Sequence, residues 1–380
     1  MDVSSEMIHA LLPLYLVGVL GASYEAVGWI EGVAEATASI TKVFSGVVSD
    51  WVGRRKGLAV IGYGLAAVTK PVFPLANSIG WVVAARFIDR IGKGIRGAPR
   101  DALVSEIAPA HLRGASFGLR QTLDTIGAFT GPLLAMALMA LSANSYRTVF
   151  WVAVIPGFLS VAMLVLAVRE PARPQPPRRA AFPLALSELK RLGSHYWLIV
   201  AIATVAALAR FSEAFLILRA SAVGLPVMLA PLVLVAMNIA YALAVYPAGA
   251  LSDRVNRLTL LAIGFVLLIG ADVVMALSNA LPGVALGVIL WGLHMGFTQG
   301  IFAALVADAS PPALRGAAYG FYNLLGGLAV LAASGLAGLL WDVLGAPAAF
   351  LTGAAFAAIA LSGVALARRW APAIGASGRR

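Results

Sequence analysis

Apolar stretches of about 20 residues recur along the whole chain between short polar breaks, and each is long enough to cross a bilayer as a helix. They fall near residues 1–20, 26–49, 57–76, 79–107, 112–141, 148–168, 195–219, 226–251, 258–278, 281–308, 313–341 and 346–367. That is twelve spans, so the expected fold class is an all-α membrane protein. One polar break is long. Residues 169–194, REPARPQPPRRAAFPLALSELKRLGS, are rich in Pro and Arg and read as a linker. It separates an N-terminal six-helix bundle (1–168) from a C-terminal one (195–367), with a tail over 368–380.

The two halves repeat each other. Gly46-Val-Val-Ser-Asp50-Trp-Val-Gly53-Arg54-Arg55-Lys56 follows the second span, and Gly249-Ala-Leu-Ser-Asp253-Arg-Val-Asn-Arg257 follows the eighth, 203 residues on. PAHLRGASFG (109–118) precedes the fifth span and PPALRGAAYG (311–320) the eleventh, 202 residues on. Internal duplication of this kind is a feature of transporters that alternate access between two halves. The repeat also pairs Ser5-Glu6 with Ser212-Glu213 in the seventh span, which begins well upstream of Glu213. The first span has little before Glu6, and its run from Met7 to Leu20 covers only about 21 Å at 1.5 Å per residue. The expectation is that about a dozen residues of this helix precede Met1 in the full protein.

Composition agrees with the membrane class: 61% of residues are hydrophobic and 12% charged, about half the charged share of a soluble protein. The net charge of +11 would suit a polyanion, but its placement says otherwise. Arg54, Arg55, Lys56, Arg113, the linker cluster, Arg254, Arg257, Arg315 and the C-terminal arginines sit in even-numbered breaks or the tail, while the odd-numbered breaks offer little beyond Arg147 and Arg219. Basic residues are retained on the cytoplasmic side, so both termini and the linker are expected there, in the cell (inner) membrane. Nucleic acid is not needed to explain the charge. The chain has no cysteine, which excludes disulfides, thiolate metal sites and cysteine nucleophiles. His9, His111, His195 and His294 are scattered, so no metal site and no cofactor are expected.

Two short motifs are decoys. Gly92-Lys93-Gly94-Ile95-Arg96-Gly97 fits G-x-G-x-x-G, but a dinucleotide turn needs a strand before it, and these glycines sit late in a membrane span. They serve close helix approach instead. Gly114-Ala-Ser116-Phe-Gly118 fits the hydrolase G-x-S-x-G, which also needs a strand-to-helix turn; the repeat has Ala318 in place of Ser116. No coherent catalytic constellation exists, and an enzyme is not expected.

With twelve spans, a basic central linker and G-x-x-x-D-x-x-G-R-R/K filled by Gly46, Asp50, Gly53, Arg54 and Arg55, the sequence resembles the major facilitator superfamily over essentially its whole length. The second copy departs, with Asn256 and Leu258 replacing the second Gly and the second basic residue. Gly127-Ala-Phe-Thr-Gly131-Pro132 in the fifth span is similar to the G-x-x-x-G-P motif of antiporter members. The resemblance implies two pseudo-symmetric six-helix bundles, with spans 1, 4, 7 and 10 lining a central cavity. It also implies a gating role for the loop signature: Gly46, Asp50, Gly53, Arg54 and Arg55, and Gly249, Asp253 and Arg257 in the second copy. Asp50 can face a helix N-terminus and the arginines can pair with carboxylates at neighbouring helix ends; the alternative is that the basic residues only set topology.

Ionisable residues at membrane depth are costly and point to a polar cavity or a partner. Arg86, Arg90 and Lys93 share one face of span 4, where Asp89 can pair with Lys93, and Arg86 and Arg90 are candidates for substrate binding or gating. Glu31 and Glu35, one turn apart in span 2, can be their acidic partners, either in a structural ion-pair network or in coupling. Arg120 and Asp124 repeat the i, i+4 pairing in span 5. Asp124 and Glu31 are the leading proton carriers, because a buried carboxylate loses its preference for charge when an arginine moves away. Glu6, Arg210, Glu213 and His294 complete the substrate and proton candidates; for His294 a packing role competes with proton transfer. Lys70 and Asp272 lie on spans that the resemblance places outside the cavity and receive no role. The expected activity is secondary transport of a small solute by alternating access, proton-coupled efflux by a monomer in the bilayer. Uptake of an organic anion and a non-transporting receptor are the alternatives.

Overall fold

The computed structural model describes residues 1–52, 55–109, 112–170, 191–252, 254–311 and 314–370. Every regular element among them is helical. In chain order these are α1 (Asp2–His9), α2 (Leu12–Gly18), α3 (Tyr24–Val52), α4 (Arg55–Thr69), α5 (Val72–Leu75), α6 (Ile79–Ile107), α7 (Arg113–Leu141) and α8 (Tyr146–Ala167). After the linker come α9 (Ser194–Leu208), α10 (Ala214–Ala222), α11 (Pro231–Ser252), α12 (Arg257–Leu277), α13 (Leu281–Asp308), α14 (Arg315–Leu344) and α15 (Ala346–Trp370).

The expected spans outnumber the uninterrupted long helices because spans 1, 3 and 7 are each broken. Pro13 opens α2 and Pro71 stands between α4 and α5, and neither can donate the N–H that a continuing helix needs. The break over 209–213 in span 7 has no proline. There the Ser212 N–H donates to Ser334 Oγ at 3.0 Å and the Ala214 N–H donates to Ser212 Oγ at 3.2 Å, so side chains replace the helical acceptors. Eight described helical segments are long and apolar enough to cross a membrane. Helices α3 and α6, 29 residues each, are long enough, but their charges take them out of that set.

The chain forms two compact units: residues 1–22, 33–183 and 226–235 in one, and 23–32, 184–225 and 236–380 in the other. In unit 1, α4 packs on α6, and α1 lies against α7 and α8. The α4–α6 crossing depends on absent side chains. A Cβ on Gly92 would sit 2.5 Å from the Gly62 carbonyl oxygen, and one on Gly62 2.8 Å from the Arg96 amide nitrogen. In unit 2, α12 packs on α13 and α15, and α9 on α14 and α15. Tyr196, Leu261, Phe265, Phe302, Leu305 and Val364 form its core. Leu166, Leu243 and Val343, by contrast, are 82%, 70% and 69% exposed, as lipid-facing side chains are. Residues 23–32, the first third of α3, belong to unit 2. The Asp342 carboxylate of α14 accepts hydrogen bonds from the Tyr24 and Glu25 amides at 3.1 and 2.7 Å, which caps the start of α3.

The sequence repeat is a structural one. Gly264, 202 positions after Gly62, stands against Thr298 and its carbonyl meets His294 Nδ1 at 2.9 Å. His294 and Thr298 are the counterparts of Gly92 and Arg96 at the same offset. Both units build this crossing at the same positions with different chemistry.

Candidate polar network and gating loops

In unit 1, α6 is the element on which the charges converge. Arg86, Asp89, Arg90 and Arg96 are all buried, and buried charges persist only with partners. Lys70, just beyond α4, places its ammonium 2.8 Å from Asp89 and donates to Ser5 Oγ at 3.0 Å. Asp89 thus pairs with Lys70, not with Lys93 one turn along its own helix as expected. The second Asp89 oxygen lies 3.9 Å from Arg90 Nε, and Arg90 reaches Glu35 of α3 at 3.2 Å. Arg96 lies 3.6 Å from Asp2 of α1 and stacks 4.8 Å from the centre of the Tyr63 ring.

Further along, Arg100 pairs with Asp101 at 3.1 Å and approaches Asp124 of α7 at 3.7 Å. Arg120 closes the group, 2.7 Å from Asp124 and 3.7 Å from Asp101. The Asp124 side chain is 29% exposed, and Asp2 is its acidic neighbour. Glu6 lies 3.5 Å from His9 one turn along α1. The α7 motif explains how α1 delivers these acids. A Cβ on Gly131 would lie 2.7 Å from Glu6 Cβ, and one on Gly127 3.0 Å from Asp2 Cβ. Pro132 continues the helix, whose regular span runs to Leu141.

Sequence reasoning gave no role to Lys70, Ser5, Asp2 or Tyr63. A lone lysine in an otherwise apolar span was the available signal, since such a residue requires an anion from somewhere.

The loop signature is seen in part. Gly46 and Asp50 fall in the last turns of α3, while Gly53, Arg54 and Asp253 lie outside the described residues. Arg55 Nη1 is 2.7 Å from Glu106 at the end of α6, and its backbone N–H donates to Glu170 at 2.6 Å. In unit 2, Gly249 sits near the end of α11 and Arg257 pairs with Asp308 at the end of α13. Arg257 and Asp308 are each 202 positions after Arg55 and Glu106, so the ion pair is duplicated. Carboxylates at neighbouring helix ends were expected as partners; the structure identifies them as Glu106 and Asp308.

Unit 2 is sparser. Arg210 and Glu213 lie in the α9–α10 break, and Arg210 is within electrostatic reach of His294 and Tyr322. His294 is buried against Gly264 and its carbonyl accepts from Thr298 Oγ1 at 3.0 Å. Glu31 is buried in the stretch that belongs to unit 2, whereas Glu35, one turn on, belongs to unit 1.

Comparison with known proteins accounts for this architecture. The family model described as Major Facilitator Superfamily matches residues 1–237 and 204–378. An uncharacterized MFS-type transporter of Methanocaldococcus jannaschii is 32% identical over 350 residues, covering 90% of this chain and 86% of that protein. An uncharacterized protein of Mycobacterium tuberculosis is 29% identical over 333 residues, 86% of this chain and 81% of that one. Among solved structures, a variant of the nucleoside transporter NupG superposes with a TM-score of 0.82 at 14% identity, covering 96% of each chain. A bacterial homologue of the lysosomal transporter Spinster does so with a TM-score of 0.79 at 15% identity, covering 97% of this chain and 94% of that one. At such identities the likeness is one of fold. With its helical, multi-pass architecture, this chain belongs to the Major Facilitator Superfamily of membrane transporters.

Proposed function

We propose that the protein is a proton-coupled secondary transporter that exports a small solute by alternating access, working as a monomer in the cell (inner) membrane with both termini cytoplasmic. The observation that carries the coupling is the position of Asp124. It is a partly exposed carboxylate between Arg120 at 2.7 Å and Arg100 at 3.7 Å, on the helix with the glycine-proline motif. A carboxylate held by two arginines keeps its charge while they stay and takes up a proton when they leave. That makes a change of conformation into proton movement. The start of α4 and the end of α6, joined by Arg55 and Glu106, are the gating elements in this reading.

A second reading, uptake of an organic anion, is favoured by the α6 face, which carries Arg86, Arg90, Lys93, Arg96 and Arg100. Purified protein in liposomes with an internal pH-sensitive dye separates the two. Proton flux triggered by lipophilic cations and lost in Asp124→Asn supports export coupled at Asp124. Flux triggered only by organic anions replaces that reading with the second, and silence with both pools defeats both.

A further inference from the structure

The repeat places Asp272 where unit 1 has Lys70, and Trp291 where unit 1 has Asp89, each 202 positions on. In unit 1 the chain fills this position with a complete pair, the Lys70 ammonium on the Asp89 carboxylate. In unit 2 the charge is reversed and the pair is incomplete. Asp272 is fully buried on α12, and neither carboxyl oxygen has a hydrogen-bond partner among the described residues.

The surroundings of Asp272 are closely packed. A Cβ on Gly353 of α15 would lie 2.7 Å from Asp272 Oδ2, 3.1 Å from the Phe211 ring and 3.3 Å from the carbonyl oxygen of Ala209. Phe211 in turn packs on Trp291 and Phe350, with 5.3 Å between centroids in each case. Ala209 is the C-cap of α9, so its carbonyl lies at the negative end of that helix, beyond the last regular turn. Interrupted membrane helices supply such carbonyls to small cations.

The charged and titratable groups on the elements around α12 are engaged elsewhere or lie at its far ends. Arg219 donates to the Met275 and Ser278 carbonyls at 2.9 and 2.6 Å. His294 is on the Gly264 carbonyl and Asp308 is with Arg257, while Arg210, next to Ala209, makes no hydrogen bond to either Asp272 oxygen. Glu213 carries the same sign as Asp272. His195 and Tyr196 open α9, and Arg368 stands near the end of α15. A carboxylate without a compensating cation is not stable in such an interior.

We propose that the Asp272 carboxyl and the Ala209 carbonyl form a binding site for one small, exchangeable monovalent cation, a proton or Na+, that supplies to Asp272 the counter-charge Lys70 supplies to Asp89 in unit 1. The glycine at 353 keeps the space beside Oδ2 open. Because Ala209 borders the break that holds Arg210 and Glu213, occupancy sets the conformation of that break. The site is independent of the coupling assigned to Asp124, and binding can be read without transport.

The test uses the full chain in detergent, with choline chloride exchanged for sodium chloride at constant ionic strength over a range of pH. Infrared difference spectra with isotope-labelled aspartate report the buried carboxyl, and the unfolding midpoint reports binding. One aspartate band and the midpoint are expected to respond saturably, and Asp272→Asn to lose both responses while eluting as the native protein does. A response to sodium at fixed pH identifies Na+ as the occupant; a response to pH alone identifies the proton. Should Asp272→Asn not fold, Gly353→Ala is expected to weaken the apparent affinity at least about tenfold. A neutral aspartate band unchanged from acid to alkali with or without sodium, or a folded variant that keeps the native response, overturns the site.

Discussion

Arg55 and Glu106 meet at 2.7 Å between the start of α4 and the end of α6, and the same contact recurs 202 residues later as Arg257 with Asp308. Arg55 and Arg257 come from the signature loops, whose second copy has Asn256 and Leu258 where Gly and a basic residue were expected, while Glu106 and Asp308 lie at the ends of α6 and α13. The ion pair survived the divergence of the loop. That is the pattern expected if the contact between helix ends, and not the count of positive charges, is what the loop supplies.

Neutralising Arg55 or Glu106 should therefore slow transport at normal expression, and Arg55→Glu with Glu106→Arg should restore part of it. Asp50→Asn should act in the same direction. Initial rates in proteoliposomes check this; full activity in all three single variants would leave the loop with a topological role only.

Lys70→Met leaves the Asp89 carboxylate buried without its ammonium, and the expected loss of stability is about 3–5 kcal/mol. Lys70→Met with Asp89→Leu should recover most of it, since well-packed apolar residues replace a buried pair at little cost. Unfolding midpoints in detergent compare the three proteins. A double variant as unstable as the single one would mean that the pair organises the surrounding network and does more than neutralise itself.

The α4–α6 crossing predicts opposite outcomes for two glycines, one on α6 and one on α4. Gly92→Ala drives a methyl into the Gly62 carbonyl at 2.5 Å and should cost about 1–3 kcal/mol. Gly64→Ala meets nothing within 4 Å and should stabilise by about 0.5–1 kcal/mol. Folded yield and midpoint measure both.

Asp342→Ala removes the acceptor of two amides at the start of α3, and the cap lost is worth about 1 kcal/mol. Hydrogen exchange at Tyr24 and Glu25 should accelerate while the end of α3 is unchanged. Equal exchange throughout α3 would show that the cap does not hold the helix start.

The absence of cysteine makes orientation directly measurable. Asn279→Cys should react with an impermeant maleimide in intact cells, and Gly316→Cys only after permeabilisation. The reverse pattern would invert the assigned topology.

The membrane class, the duplication and the family were legible in the chain, because bilayer thickness fixes the length of an apolar run and repeated loops keep their spacing. Local pairs at i, i+4 were legible too: Arg120 with Asp124 follows from helical geometry alone. The broken span 7 was not, because no proline marks it. Ser334 and Ser212 supply its acceptors, and Ser334 lies 122 residues from the amide it meets.

The partner of each buried charge belongs to the tertiary structure. Asp89 had a basic residue one turn away in sequence, yet it pairs with Lys70, since a short fixed path across α4 and α6 wins over a neighbour on the same helix face. The glycines of α7 read as a motif; what they do is admit Asp2 and Glu6 of α1. The sequence by itself determined how many apolar runs there are, which ends carry positive charge and that the halves repeat, all of which are set by local composition. Only the tertiary structure decided which charges neutralise each other and that Asp272 has no partner in the described chain, because charge compensation depends on distances between helices that sequence spacing does not encode.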